Sequence, residues 1–170
     1  MEKFVFKKID GTRIDNVEKY VKDWSKDNPY GKVIIGCDSQ MQGRRIKYSI
    51  AIVMHHIDKW GGGHGAHVIF ADVWEKRIAK SPVEEMPTKL WREAEYLLAV
   101  AQIVDGSDEM FKKRITLHLD YNSEAETGNH ANLSNRLFSS GLGYLTSLGY
   151  YTEGKPYAYV ATHTADAFCR

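Results

Sequence analysis

Hydrophobic residues recur along the first half of the chain at spacings that predict a helix followed by three strands. An amphipathic helix over residues 15–26 is predicted from the helical spacing of Ile14, Val17, Tyr20, Val21 and Trp24. Apolar, β-branched segments then predict strands at residues 32–38, 46–56 and 67–74. Glycines at 61–65 break the chain between the last two of these segments. The three strands can therefore pair as a meander.

The second half of the chain alternates between helical and strand patterns. The predicted elements are a helix over residues 89–104 with Thr88 as its N-cap, a strand over 115–120, a helix over 133–148, a turn at 149–155, a strand over 157–161 and a last helix over 164–170. Together with the meander, this order predicts an α/β fold in which helices flank a mixed five-stranded sheet.

The length of 170 residues suits a single domain. We expect a helical N-terminal extension at residues 1–30 and a core at residues 31–170. Two cysteines do not make a disulfide framework and indicate a reducing, cytoplasmic setting. No apolar run approaches the roughly 20 residues that cross a bilayer, and no secretory signal is evident, so we expect no membrane partner.

The charge balance excludes a strongly basic protein that wraps nucleic acid, because the formal net charge is only +1. Contact with a polyanion must therefore come from a local patch. Each basic cluster is either an ordinary solvated face or a phosphate contact beside which Trp74, Trp91 or Tyr121 can stack on bases. The clusters are Arg44, Arg45 and Lys47; Lys76, Arg77 and Lys80; and Lys112, Lys113 and Arg114.

Two predicted strands end on an aspartate, although aspartate is a poor strand former. Asp38 follows three apolar residues of the first strand, and Asp120 ends the strand over residues 115–120. If these strands are neighbours in the sheet, the two carboxylates lie side by side and repel each other unless a cation binds. Hard oxygen ligands suit Mg²⁺ or Mn²⁺, ions that polarise phosphate oxygens and lower the pKa of a bound water.

Glu93 interrupts an apolar stripe on the helix over residues 89–104, because it shares one face with Leu90, Leu97, Val100, Ala101 and Val104. Burying an unpaired carboxylate is costly, so this position indicates that Glu93 meets a metal ion or another cation. The alternative is that Glu93 flanks the stripe and is solvated. Glu95 points away from the stripe and is the alternate ligand.

The motif around residues 161–166 passes from a predicted strand into a helix. Asp166 has two interpretations here, a functional carboxylate or a first-turn acid that stabilises the helix dipole. His163 can swing towards a cleft or serve a structural role. Cys37, beside Asp38, is interpreted as a packing residue rather than a thiol nucleophile.

This order of elements and carboxylates resembles the ribonuclease H-like superfamily over residues 31–170. Members bind two metal ions through four carboxylates, and the matching positions here are Asp38, Glu93, Asp120 and Asp166. The resemblance implies that Asp38 bridges two Mg²⁺ or Mn²⁺ ions, that Glu93 and Asp120 complete one site and that Asp166 completes the other. It also implies that His163 relays protons or assists product release.

Two short motifs are similar to the YkuK-like branch of bacterial proteins. They are Gly-Cys-Asp-Ser-Gln at residues 36–40 and Ala-Asp-Ala-Phe-Cys-Arg at residues 165–170. Unlike ribonucleases H of known activity, the chain has an added N-terminal helix, no basic handle insertion and a very short last helix. RNA, DNA, hybrids and branched junctions all stay open as substrates.

We therefore predict a metal-dependent nuclease or related phosphodiester hydrolase that acts on nucleic acid. The alternative is a non-catalytic ribonuclease H-like module that binds nucleic acid or protein, which the near-neutral charge favours. A nucleotide-binding or phosphotransfer domain is disfavoured because no phosphate-binding glycine turn lies beside Asp38. The glycines at 61–65 lie between strands, and the histidines at 55, 56, 64 and 67 lack the spacing of a zinc site.

Overall fold

The computed structural model describes residues 4–119, 131–154 and 157–169. The strands are β1 (Lys7–Lys8), β2 (Lys32–Gln42), β3 (Arg45–Ile57), β4 (Gly63–Lys76), β5 (Ile115–Leu119) and β6 (Tyr151–Gly154). The helices are α1 (Val17–Asp27), α2 (Pro82–Asp105), α3 (Glu109–Lys112), α4 (Ala131–Ser147), a π-helical segment (Val160–Ala165) and α5 (Asp166–Cys169). The predicted α/β class is confirmed.

The strands form one mixed sheet in the order β1-β4-β3-β2-β5-β6. Strands β2, β3 and β4 make the predicted antiparallel meander, while β5 pairs with β2, and β6 with β5, in parallel. The sheet has six strands rather than the predicted five because Lys7 and Lys8 pair with Phe70 and Ile69 of β4. Two residues are too few to give a readable strand pattern.

The C-terminal part of the predicted sheet was wrong in its boundaries. The strand beside β5 is Tyr151–Gly154, in the region predicted as a turn, and the region predicted as a strand at 157–161 turns into the π-helical segment. Tyr151–Gly154 pairs with the edge of β5 that is not bound to β2. The apolar residues that follow it in the chain therefore pack on a face of the sheet and do not form another strand beside β5. Val160 accordingly packs with Ile34 of β2.

Helix α2 begins earlier than the predicted residue 89. Ser81 is its N-cap, with its hydroxyl accepting a hydrogen bond from the Glu84 N–H, and Pro82 occupies the first turn. Proline is pre-organised for that position because its ring fixes φ near −65° and its missing N–H would have had no helical partner. Thr88, the predicted N-cap, therefore lies inside the helix.

The two faces of the sheet bury different clusters. One face, called the α2 face, packs Val33, Ile35 and Cys37 of β2 against the apolar stripe of α2. The other, called the C-terminal face, packs Ile34 against Val160 and Ala165. Each fully buried aliphatic side chain stabilises the fold by about 1.5–3 kcal/mol, so the larger cluster on the α2 face dominates.

No described helix is long and apolar enough to cross a membrane.

Candidate active site

Asp38 lies inside β2 rather than at its end, because pairing with β3 continues from Asp38 opposite Ser49 to Gln42 opposite Arg45. Side chains alternate between the two faces of a strand, so Asp38 shares the C-terminal face with Ile34, and Ser39 points to the α2 face. Ser49 in turn lies opposite Asp72 of β4. A polar row of Asp38, Ser49 and Asp72 therefore crosses three strands.

The Asp72 end of this row is held by hydrogen bonds and charge. The Ser49 hydroxyl donates to Asp72 Oδ1 at 2.6 Å, and Lys47 Nζ lies 3.4 Å from Asp72 Oδ2. Asp72 therefore carries two partners that fix its carboxylate. Sequence analysis missed this residue because nothing in its local pattern shows that it lies two strands away from Asp38.

Glu93 is buried on the α2 face, with a side chain only 2% exposed. The Ser39 hydroxyl donates a hydrogen bond to Glu93 Oε1, and Lys89 Nζ lies 3.2 Å from the same oxygen. Lys89 also donates to the Ser39 carbonyl oxygen at 2.9 Å and to its hydroxyl at 2.8 Å. The Glu93 carboxylate thus meets a cation, as its position in the apolar stripe predicted. That cation is the Lys89 ammonium, which lies one turn earlier on the same helix.

Burial and charge oppose each other in this cluster. Burial raises the pKa of Glu93 to about 7, against the lowering effect of Lys89 and Ser39, and the Asp38 carboxylate raises it further. Burial alone lowers the pKa of Lys89, but the negative charges of Glu93 and Asp38 outweigh it, so the pKa is raised. Asp38 and Glu93 therefore interact electrostatically although they approach from different faces of β2.

Glu95, the alternate ligand, points away from this cluster. It pairs with Arg92, whose Nη1 lies 2.5 Å from Glu95 Oε2, and its side chain is 41% exposed. Glu93 is the glutamate of α2 that faces β2, which is the orientation predicted from the helical spacing.

The C-terminal segment, residues 160–169, covers the C-terminal face beside Asp38. The Cys169 thiol lies 3.4 Å from the Asp38 carbonyl oxygen, and Lys47 Nζ donates to the Phe168 carbonyl oxygen. The Phe168 ring stacks on Phe70 with centroids 4.0 Å apart. Burial, with a smaller contribution from Asp38, raises the pKa of the Cys169 thiol to about 11.

Asp166 is half-buried and begins α5 within this segment, while His163 is exposed. The start of the segment is fixed by buried His118, whose Nδ1 accepts a hydrogen bond from the Val160 N–H at 3.2 Å. His118 Nε2 lies 3.1 Å from Glu153 Oε2, and burial lowers the pKa of this histidine. Sequence analysis did not single out His118, because one histidine in a strand carries no local signal.

The fourth predicted carboxylate, Asp120, lies outside the described residues. The strand pairing on which its prediction rested is present, because β2 and β5 are parallel neighbours with Cys37 opposite Leu119. Cys37 itself is buried and its thiol has a pKa raised mainly by that burial, which agrees with a packing role.

The described part of the chain contains no group of three His, Cys, Asp or Glu side chains placed to hold one metal ion. The donor chemistry nevertheless fits a hard divalent cation, because Asp38, Glu93 and Asp166 all offer carboxylate oxygens. The raised pKa of Glu93 adds to this fit, since the buried carboxylate is incompletely compensated by Lys89 and Ser39. The gathering of the carboxylates around metal stays a prediction.

Comparison with known proteins identifies a family. The family model described as ribonuclease H-like matches residues 13–170. Among solved structures, RNase H1 from the halophilic archaeon Halobacterium salinarum NRC-1 is similar, with 17% sequence identity, a TM-score of 0.35, and coverage of 81% of this chain and 93% of that chain. A comparison with curated proteins found no match.

Proposed function

Because the chain belongs to the ribonuclease H-like family, we propose that it is a metal-dependent nuclease that hydrolyses phosphodiester bonds of nucleic acid. The observation that carries the proposal is the burial of Glu93 on α2 beside the strand that bears Asp38. A protein that needed only a stable core would gain nothing from a buried carboxylate at this place. We also propose, on the motifs at residues 36–40 and 165–170, that the chain belongs to the YkuK-like bacterial branch.

Asp38, Glu93, Asp120 and Asp166 are the proposed ligands of two Mg²⁺ or Mn²⁺ ions. When bound, these ions would neutralise charge on the phosphate and lower the pKa of a water molecule. Within the chain, Ser39 and Lys89 hold the Glu93 carboxylate in one orientation, while the C-terminal segment that carries Asp166 covers the face that bears Asp38. His163, exposed and three residues before Asp166, is the proposed proton relay.

A second candidate is a non-catalytic module that binds nucleic acid or protein. The ion pair between Lys89 and Glu93 favours it, because an internal ammonium already supplies positive charge to the buried carboxylate. In a binding module this pair would be purely structural. Metal binding and cleavage separate the two candidates.

The test is cleavage of labelled single-stranded, duplex, hybrid and junction substrates in Mn²⁺ or EDTA, with calorimetry of Mn²⁺ binding. Asp38→Asn and Asp120→Asn are compared with wild type, and Asp15→Asn is the matched control because its side chain is 93% exposed. Manganese-dependent cleavage that the first two variants lose and the control keeps would support the nuclease. Absence of both cleavage and Mn²⁺ binding would favour the non-catalytic module.

A further inference from the structure

A surface pocket of about 400 Å³ lies where the β2–β3 turn meets the end of β4. It joins two basic clusters that are more than 30 residues apart in sequence, and its lining residues are Arg44, Arg45, Lys76, Arg77, Ala79 and Lys80. The pocket gathers five of the 23 Lys and Arg residues of a chain whose formal net charge is only +1. Positive potential is therefore concentrated at this one place.

The basic side chains of the pocket lack carboxylate partners in the part of the chain that the structure describes. Within the described ranges, none of its five basic side chains forms an ion pair with a carboxylate, whereas Lys19, Lys22, Lys26, Lys47 and Lys89 all do. Like charges placed together without counterions repel each other. An anion that binds among them relieves this repulsion.

The Arg77 guanidinium is only partly satisfied by hydrogen bonds to the described residues. Its Nη1 donates to the Gly43 carbonyl oxygen at 3.2 Å, which ties the end of β4 to the β2–β3 turn. Its Nε and Nη2 are buried and have no hydrogen-bond partner among the described residues. Two such buried, unsatisfied guanidinium nitrogens cost free energy, while the guanidinium as a whole keeps its positive charge in the wall of the pocket.

The backbone of the segment that carries Arg77 and Lys80 is held in place by hydrogen bonds. The buried carboxylate of Glu85 accepts hydrogen bonds from the backbone N–H groups of Ile78 at 2.8 Å and Ala79 at 2.6 Å. The Arg77 N–H donates to the Arg44 carbonyl oxygen at 3.1 Å. The pocket is thus built on anchored backbone rather than on a free loop, which lowers the entropy lost when a ligand binds.

The pocket lies in line with the polar row around Asp38. Arg45 and Lys76 pair with each other across β3 and β4, four residues beyond Ser49 and Asp72 and on the same face of the sheet. Four residues of antiparallel strand span about 13 Å, close to the rise of four stacked nucleotides at about 3.4 Å each. Between the two rows, Trp74 lies on this face and is 47% exposed.

We infer that this basic pocket binds a phosphate group of a nucleic-acid strand about four nucleotides from the phosphate that the proposed metal ions at the carboxylates would hold. The inference rests on the proposed nuclease function for the second phosphate, while the pocket itself requires only phosphate chemistry. A phosphate in the pocket would fix the register of the strand without reading its sequence.

The test is fluorescence-anisotropy binding of labelled single-stranded and duplex oligonucleotides in EDTA across a salt series, with inorganic phosphate and AMP as competitors. Arg45→Gln/Lys76→Gln removes two exposed charges of the pocket. The matched control is Lys32→Gln/Lys113→Gln, which removes the same amount of charge. Lys32 and Lys113 are exposed and lie at the start of β2 and just before β5, at the end of the sheet away from the pocket. We expect the first pair of changes to weaken binding about tenfold and to lower the salt slope by about 1.4–1.8, and the second to have little effect.

A second comparison separates geometry from charge and does not depend on the double variant. Arg77→Lys keeps the charge but removes the guanidinium that ties the end of β4 to the Gly43 carbonyl oxygen, whereas Lys76→Arg keeps the charge and adds donors. We expect the first to weaken oligonucleotide binding and the second to preserve or strengthen it.

Each outcome has a definite meaning. Loss of oligonucleotide affinity confined to the pocket variants supports the inference. If the pocket binds AMP or inorganic phosphate but not the oligonucleotides, its assignment to a nucleic-acid strand is overturned. Equal affinities for pocket and control variants would overturn it altogether. The same measurements in the Asp38→Asn background keep the result independent of cleavage, so a failure of the nuclease proposal would be recognised separately.

Discussion

Lys89 and Glu93 lie one turn apart on α2 and form a buried ion pair, with Nζ 3.2 Å from Oε1 and side chains 12% and 2% exposed. Both groups are also bound to Ser39 of β2, which fastens the helix to the strand that carries Asp38. The pair therefore connects the stability of the α2 face with the chemistry of the carboxylates. Its energetics can be tested without knowing the substrate.

Lys89→Met should lower the free energy of unfolding by about 3 kcal/mol at pH 8, because it leaves a buried carboxylate without its cation. The loss should be smaller at pH 6, where Glu93 takes up a proton. Urea unfolding in EDTA measures both values. Lys19→Met is the matched control, since Lys19 forms an i,i+4 pair with Asp23 but is 73% exposed, and it should cost at most about 0.5 kcal/mol. Equal losses in the two variants would contradict the prediction.

The stability of the metal-free protein should fall as the pH rises from about 4.5 to about 7, in part because of Glu93. Burial raises the pKa of this residue to about 7 from its ordinary value of 4.5, so the folded state holds the proton more tightly than the unfolded state. The stabilising effect is full below the lower value and is lost above the higher one, and it amounts to roughly 3 kcal/mol. Glu93→Gln should remove this part of the pH dependence. A variant whose unfolding free energy keeps the wild-type slope would show that Glu93 is not the group responsible.

Glu93→Gln should lower nuclease kcat/KM by at least about 100-fold and weaken Mn²⁺ binding, because even the outer partners of metal ligands typically contribute about 10–100-fold. Glu95→Gln, on the exposed side of the same helix, should stay within about threefold of wild type. Cleavage assays and Mn²⁺ calorimetry on both variants make the comparison. A larger loss in Glu95→Gln would reverse the choice of ligand.

Trp74→Ala should weaken binding of single-stranded DNA about tenfold in EDTA, because stacking of one base on an aromatic side chain contributes about 1–3 kcal/mol. Trp74 lies between the Asp38 row and the basic pocket, whereas Trp60 lies in the turn between β3 and β4 and is 81% exposed. Trp60→Ala should bind like wild type. If both variants bind equally, the nucleic acid does not cross this part of the sheet.

The burial of Glu93 was predictable because a stripe spaced by three and four residues defines one helix face over several turns. Lys89 carried a signal too, since it stands four residues before Glu93, the spacing at which helical side chains meet. The pocket was not predictable from sequence. Its two clusters become neighbours only through the register of β3 against β4, and register depends on contacts far apart in the chain.

The boundaries of the C-terminal elements were wrong for a local reason. Residues 157–161 are short and apolar, and such a run fits a strand and a buried helix equally well. The choice between them depended on Tyr151–Gly154, which lacks an alternating pattern but occupies the edge of β5. A prediction from local pattern cannot detect that an edge is already taken.

The docking of residues 160–169 has a consequence for how the protein folds. The contact of Cys169 with Asp38 closes a loop of 131 residues, and that of Lys47 with Phe168 closes one of 121. Such long closures lose entropy before their contacts form, so they are slow relative to the hairpins of the meander. The sheet can therefore assemble first, and the segment that carries Asp166 packs on the face of Asp38 only afterwards. The contacts of Phe168 and Cys169 would then form later in refolding than the bulk of the secondary structure.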